Sequence, residues 1–141
     1  MILPASEKDY PILIDIWASA VSATHDFLSK EDFEYYKSRL PFYFTQVSLF
    51  VFRDENSDIK GFLGVLDDNI EMLFVHNCFR GLGIGKKLLT FATENLNLRK
   101  VDVNEENKQA LEFYTYFGFK QINRSAHDSE GKNYPLIHLI L

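Results

Sequence analysis

A chain of 141 residues suffices for one hydrophobic core and is too short to divide into two good ones. With 46% hydrophobic residues, 13 Phe and 7 Tyr it carries ample apolar surface, which excludes intrinsic disorder, and a formal net charge of -5 argues against general nucleic-acid binding. The single cysteine, Cys78, excludes an intrachain disulfide. Residues 1–9 lack the basic start and apolar run of a secretory leader, and no stretch approaches the ~20 apolar residues of a membrane span, so a cytoplasmic protein is expected.

Ser6 and Asp9 read as a capping box opening a helix over 7–21, with Leu13, Ile16, Trp17, Ala20 and Val21 at helical spacing. A second helix is expected from Ser29, with Asp32 in the capping position, Phe33, Tyr36 and Leu40 on one side, and an end at Pro41. Three antiparallel strands follow, over 48–53, 59–67 and 70–75, joined by the polar turn 54–58 and the hairpin turn Asp67-Asp68-Asn69. A loop over 76–82 leads into a helix carrying Ile84, Leu88, Phe91, Ala92 and Leu96 on one face. Strand 100–103, helix 107–117 closed by Gly118, strand 119–127 and strand 134–141 complete the chain. The strand–helix–strand passage from 70 to 103 requires a parallel pair, so a mixed α/β sheet is predicted.

The segment Arg80-Gly81-Leu82-Gly83-Ile84-Gly85-Lys86-Lys87 stands between a strand and a helix. A helix mouth offers unpaired N–H groups and partial positive charge, glycines let an anion approach the backbone, and Arg80, Lys86 and Lys87 add full charges. A pyrophosphate cradle is the expectation. It is not a Walker A loop, because Arg80 stands where the first glycine belongs and Lys87 where Ser or Thr belongs. It is not a dinucleotide fingerprint either, because Lys86 occupies the third glycine position.

The remaining pattern, Arg-x-x-Gly-x-Gly at Arg80, Gly83 and Gly85, resembles the acetyl-CoA signature of the GNAT N-acetyltransferase superfamily. A second segment, Asn107-x-x-Ala110-x-x-Phe113-Tyr114-x-x-x-Gly118-Phe119, is similar to that superfamily's distal motif. A nearer likeness, to the bacterial YjaB-type members, rests on Trp17, Thr24-His25-Asp26-Phe27-Leu28 and Gly131-Lys132-Asn133-Tyr134-Pro135-Leu136. The resemblance implies a single domain over 1–141. Its fold would be a mostly antiparallel sheet of six to seven strands with a central parallel pair and helices on both faces.

It also implies the chemistry. Backbone groups of Leu73, Phe74 and Val75 would pair with the pantetheine arm of acetyl-CoA, a co-substrate. The N–H groups of Arg80, Gly81, Leu82, Gly83, Ile84, Gly85 and Lys86 would hold the pyrophosphate. Asn104 and Asn107 would cap the helix, contact the cofactor, or both, and Ala110 would leave room for it. Tyr114 would protonate the departing thiolate, since a phenol is protonated at neutral pH. A neutral amine would attack the thioester directly, and backbone N–H groups of strand 70–75 would stabilise the oxyanion. Glu71 is the first choice of base and His25 the second, with Asp102 a third.

No metal is expected, because His25, His76, His127 and His138 show no ligand spacing. The acceptor surface is expected from residues 22–45 and the last hairpin. Phe27, Tyr36, Phe42, Tyr43 and Phe44 would shape it or serve the core, and Asp26, Glu31, Asp32 and Glu34 would attract a cationic amine or form a solvated face. The expected partners are acetyl-CoA and an amine acceptor, with no nucleic acid or membrane, in a monomer or homodimer. A non-catalytic acyl-CoA sensor on the same fold is the alternative, and a protein-interaction module without cofactor binding is a second.

Overall fold

Turn chemistry organises the first half of the chain. Asp54 Oδ1 accepts the N–H groups of Asn56 and Asp58 at 2.9 and 3.0 Å, and Asp67 sits at φ 54°. These turns reverse the strands on either side, as expected. A computed structural model describes residues 1–141. Its fold is mixed α/β, a mostly antiparallel seven-stranded sheet with one parallel pair, plus helices. The chain forms two compact units, Met1–Leu98 and Arg99–Leu141.

The first unit contains strand β1 (Ile2–Pro4), helices α1 (Tyr10–Thr24) and α2 (Lys30–Gln46), and strands β2 (Ser48–Arg53), β3 (Ile59–Leu66) and β4 (Asn69–Val75). Helix α3 (Ile84–Thr90) then runs into a π-helical turn at Phe91–Asn95. The strands pair antiparallel as β1-β2-β3-β4. The short edge strand β1 was invisible in the sequence, having three residues, no alternation and a proline, which only an edge tolerates.

Gly61, Phe62, Leu63 and Gly64 are all buried, so β3 is covered on both faces. Phe62 points toward α1 and α2, where it meets Phe44 edge-on at 5.9 Å and joins Leu13, Ile16, Trp17, Val21 and Leu40 in one core. Burying each such side chain contributes about 2–3 kcal/mol. Gly61 faces the other way. A Cβ there would stand 3.2 Å from Ile84 Cγ2 and 3.2 Å from Leu88 Cδ1, so the missing side chain is what lets α3 lie close against the strand.

The N-terminal helix begins as a 3-10 turn over Glu7–Asp9, and Asp9 Oδ2 accepts the Ser6 N–H at 2.9 Å. Ser29 caps α2 by accepting the Asp32 N–H at 3.0 Å. Pro41 does not end α2, contrary to expectation: the helix continues to Gln46. A proline inside a helix costs about 3 kcal/mol, but Pro41 faces solvent, and the turn beyond it carries Phe44 into the core at 2% exposure. Burial of that ring offsets most of the cost. The helix expected over 84–96 changes pitch at Phe91, where Leu96 N–H donates to Phe91 O at 3.2 Å. The wider turn seats Phe91 against Phe50 at 5.1 Å.

The second unit contains strand β5 (Lys100–Asn104), helix α4 (Lys108–Phe117) and strands β6 (Lys120–Ser125) and β7 (Leu136–Ile140). The strands pair antiparallel as β5-β7-β6. Val101, Val103, Ile137 and Leu139 are buried on one face, while Asp102 and His138 alternate onto the other. Gly118 closes α4 at φ 124°, donating to Tyr114 O and Thr115 O as the motif predicts. Arg124 and Glu105 form a two-pronged ion pair at 2.6 and 3.0 Å, and the Arg124 hydrogen bond lowers the Glu105 carboxyl from its ordinary value.

Candidate active site

The glycine loop opens α3. Gly81 and Gly83 stand at φ 80° and 81°, in the left-handed region that disfavours any residue with a Cβ. A Cβ built on either meets no atom within 4 Å, so the space before the backbone is open. Gly83 is the cap: Lys87 N–H donates to its carbonyl at 3.0 Å, and the N–H groups of the first helical turn precede that bond. Arg80, Lys86 and Lys87 are exposed beside them. Open space, unpaired donors and three cations suit a diphosphate.

The loop rests on a braced platform. Asn77 N–H donates to Ser19 Oγ at 3.0 Å, and His76 N–H donates to Lys60 O at 3.0 Å. His76 Nδ1 in turn accepts the Cys78 N–H at 3.1 Å, and the Lys60 ammonium lies 3.5 Å over the Phe79 ring. Sequence reasoning missed Ser19, Lys60 and His76 as supports for the loop. Nothing local marks them, because their partners come from α1 and β3.

Leu73, Phe74 and Val75 on β4 lead directly to this platform and are half-buried, whereas Gly61, Phe62 and Leu63 on the paired strand are buried. Glu71 lies at an irregularity. Gly64 pairs with Met72 and Val65 with Ile70, leaving Glu71 as the extra residue of a β-bulge. Its carboxylate is exposed and accepts a hydrogen bond from Asn69 Nδ2 at 3.2 Å.

His25 ends α1. Its Nδ1 lies 2.7 Å from Thr24 Oγ1, its ring lies 5.1 Å from that of Phe27, and burial lowers its pKa to about 4 against a smaller opposing effect of Asp26. The imidazole is therefore neutral at pH 7 and a weak proton acceptor. Phe44 belongs to the core, Phe33 stacks on Trp17 at 5.2 Å, and Phe42 is exposed. Asp26, Glu31 and Glu34 are exposed.

The second unit assembles the distal motif. Asn107 Oδ1 accepts the Ala110 N–H at 3.2 Å, so Asn107 caps α4, and its own N–H donates to Asn104 O at 3.0 Å. Ala110 is half-buried one turn before Tyr114. Tyr114 is 5% exposed, its ring held edge-on by Phe113 and Phe119 at 5.1 and 5.4 Å. No hydrogen bond to its hydroxyl forms within the chain. Burial pushes the phenol up from its ordinary value, so it holds its proton throughout the physiological range. Tyr116, by contrast, is 94% exposed. The Asp102 carboxylate is engaged by His138. No group of three or more His, Cys, Asp and Glu side chains is placed to hold a metal ion, and no helix is long and apolar enough to cross a membrane.

Fold and motifs together define an acyltransferase class, and residues 13–133 match the acetyltransferase (GNAT) domain: the chain belongs to the GNAT N-acetyltransferase family, whose members use acetyl-CoA. Among its relatives is the peptidyl-lysine N-acetyltransferase YjaB of Escherichia coli (strain K12), 35% identical over 127 residues, covering 90% of this chain and 86% of that protein. YjaB of Salmonella typhimurium is 37% identical over 128 residues, covering 91% and 88%. The solution structure of apo YjaB from Escherichia coli superposes with a TM-score of 0.92 at 33% identity, covering 99% of this chain and 95% of that one. The PaiA N-acetyltransferase of Thermoplasma acidophilum, solved in complex with coenzyme A, shares the fold at TM-score 0.71 and 19% identity, covering 98% and 96%.

Proposed function

We propose that this N-acetyltransferase moves the acetyl group of acetyl-CoA to a primary amine of a small molecule or peptide, by direct attack in a ternary complex, with residues 1–141 acting as one catalytic domain. The observation that carries the reading is the mouth of α3, where two left-handed glycines leave open space before unpaired N–H groups flanked by Arg80, Lys86 and Lys87. The peptidyl-lysine activity in the names of the two YjaB relatives supports a lysine side chain as the acceptor.

In this reading the amides from Arg80 to Lys86 hold the diphosphate, and backbone groups of Leu73, Phe74 and Val75 align the pantetheine arm. The family pattern assigns Asn104, Asn107 and Ala110 to the cofactor as well. Tyr114, protonated and unpartnered, gives its proton to the thiolate as it leaves. Glu71 takes the amine proton directly or through water. Its bulged, exposed position supports that role over His25, whose lowered pKa makes it the weaker acceptor. The protein would act as a monomer or homodimer, without metal or nucleic acid.

An amine panel including a lysine peptide, read by release of free coenzyme A thiol, tests the reading. Turnover with at least one amine is expected. Tight acetyl-CoA binding with no turnover on any amine would favour the non-catalytic sensor instead.

A further inference from the structure

A hydrogen-bonded chain of three side chains crosses the second unit and has no part in the scheme above. Asp102 on β5 stands directly opposite His138 on β7, and His138 Nδ1 lies 2.5 Å from Asp102 Oδ1. At the other end of the same ring, Nε2 lies 2.5 Å from the hydroxyl oxygen of Ser125, the last residue of β6. An ionised carboxylate only accepts, so in a neutral imidazole the proton sits on Nδ1 and is donated to Asp102. The Nε2 lone pair is then left to accept the Ser125 O–H. Hydroxyl to Nε2, Nδ1 to carboxylate: this is the order of roles in a Ser–His–Asp nucleophilic relay, which is recognised by geometry on unrelated folds.

Two further features separate this arrangement from an incidental polar contact. The first is a β-bulge. Gln121 pairs with Leu139 and Asn123 with His138, so Ile122 is the extra residue. Without it, Ile122 and Arg124 would share a face with His138, and Ser125 would point to the other side among the buried positions. The bulge turns Ser125 onto the His138 face, in the way bulges re-aim side chains at reactive sites. The second is access. The relay lies on the face opposite Val101, Val103, Ile137 and Leu139, and the His138 and Asp102 side chains are 25% and 37% exposed.

We propose that Ser125 is a nucleophile, independent of the transferase scheme, that takes an acyl group from small activated esters or thioesters, with His138 as its base and Asp102 as the positioning residue. As Ser125 Oγ bonds to the acyl carbon, its proton passes to His138 Nε2. The alkoxide or thiolate then leaves and takes that proton, and an O-acyl serine remains. Water attacking this ester through the same base frees the carboxylic acid and restores Ser125. The steps balance without metal, oxidant or reductant. Solvent around Asp102 screens its field more than a buried carboxylate would allow, so the rate is expected to fall well below that of a protease.

The test is acetylation by p-nitrophenyl acetate with neither coenzyme A nor amine present, which keeps its outcome separate from the transferase reading. Intact mass and peptide mapping should find one acetyl group per chain on Ser125, absent in Ser125→Ala and slowed ~100-fold in His138→Gln. Asp102→Asn should slow labelling while Asp102→Glu retains most of it, which a merely bracing carboxylate would not produce. Thermal melting checks that each variant folds. If Ser125→Ala does not fold, Ser125→Cys should carry the label on its thiol. Acetyl groups found only on lysines, or Ser125 labelling that His138→Gln leaves unchanged, would overturn the proposal.

Discussion

Tyr114 joins a buried ring to a hydroxyl that bonds to nothing else in the chain. Burial both orients the phenol and keeps it protonated. Tyr114→Phe preserves the ring packing and removes only the proton. Acetyl-CoA affinity by calorimetry should be unchanged, while kcat falls by roughly 10²–10⁴; a variant with unaltered kcat would remove Tyr114 from the mechanism. His25 makes a different prediction. Its folded pKa of about 4 lies below the ordinary 6.5, so as pH falls the unfolded chain takes up a proton first. Stability is full above pH 6.5 and declines toward pH 4, by up to about 3 kcal/mol. His25→Gln should flatten that slope in denaturation curves taken between pH 4 and 7.

Two elements show where neighbouring residues suffice to predict structure and where they do not. The opening of α2 follows from Ser29 and Asp32, whose capping bond involves only adjacent chain. Its end does not, because Pro41 signals a stop that Phe44 overrides from within the core. Pro41→Ala should restore the missing backbone donor and stabilise the protein by about 2 kcal/mol, the helix gain less the lost stiffness of the unfolded chain, read as a higher Tm. At the mouth of α3, Gly83→Ala forces a Cβ into the left-handed region at a cost of about 1–2 kcal/mol. The added methyl meets no protein atom, so any larger effect on cofactor binding arises where the anion approaches. Affinity for acetyl-CoA should drop about tenfold or more by calorimetry, which corresponds to ~1.4 kcal/mol.

For the whole chain, saturating acetyl-CoA should raise stability, by about 2.7 kcal/mol at a hundred times the Kd, with coenzyme A doing the same and free acetate nothing. A thermal shift series in each ligand checks this, and a flat response to coenzyme A would remove the diphosphate site. Much of the architecture was legible beforehand. Caps at Ser29 and Asn107, the Asp67 turn, the glycine loop and the Gly118 terminus each act within a few residues, so the alphabet of local backbone chemistry spells them out. The two GNAT motifs needed only their order and spacing.

Other features depend on partners remote in sequence, and there the chain order carries no signal. Ser19 steadies Asn77 across 58 residues, and Asp102 meets His138 across 36. The bulges at Glu71 and Ile122 arise from the register of one strand against another, and that register decides which face a side chain occupies. Local composition therefore sufficed for the family, the glycine loop and the caps of the helices. Which carboxylate stands at a bulge, which serine reaches a histidine, and whether a proline stops its helix were decided only by packing, because each depends on side chains that folding alone makes neighbours.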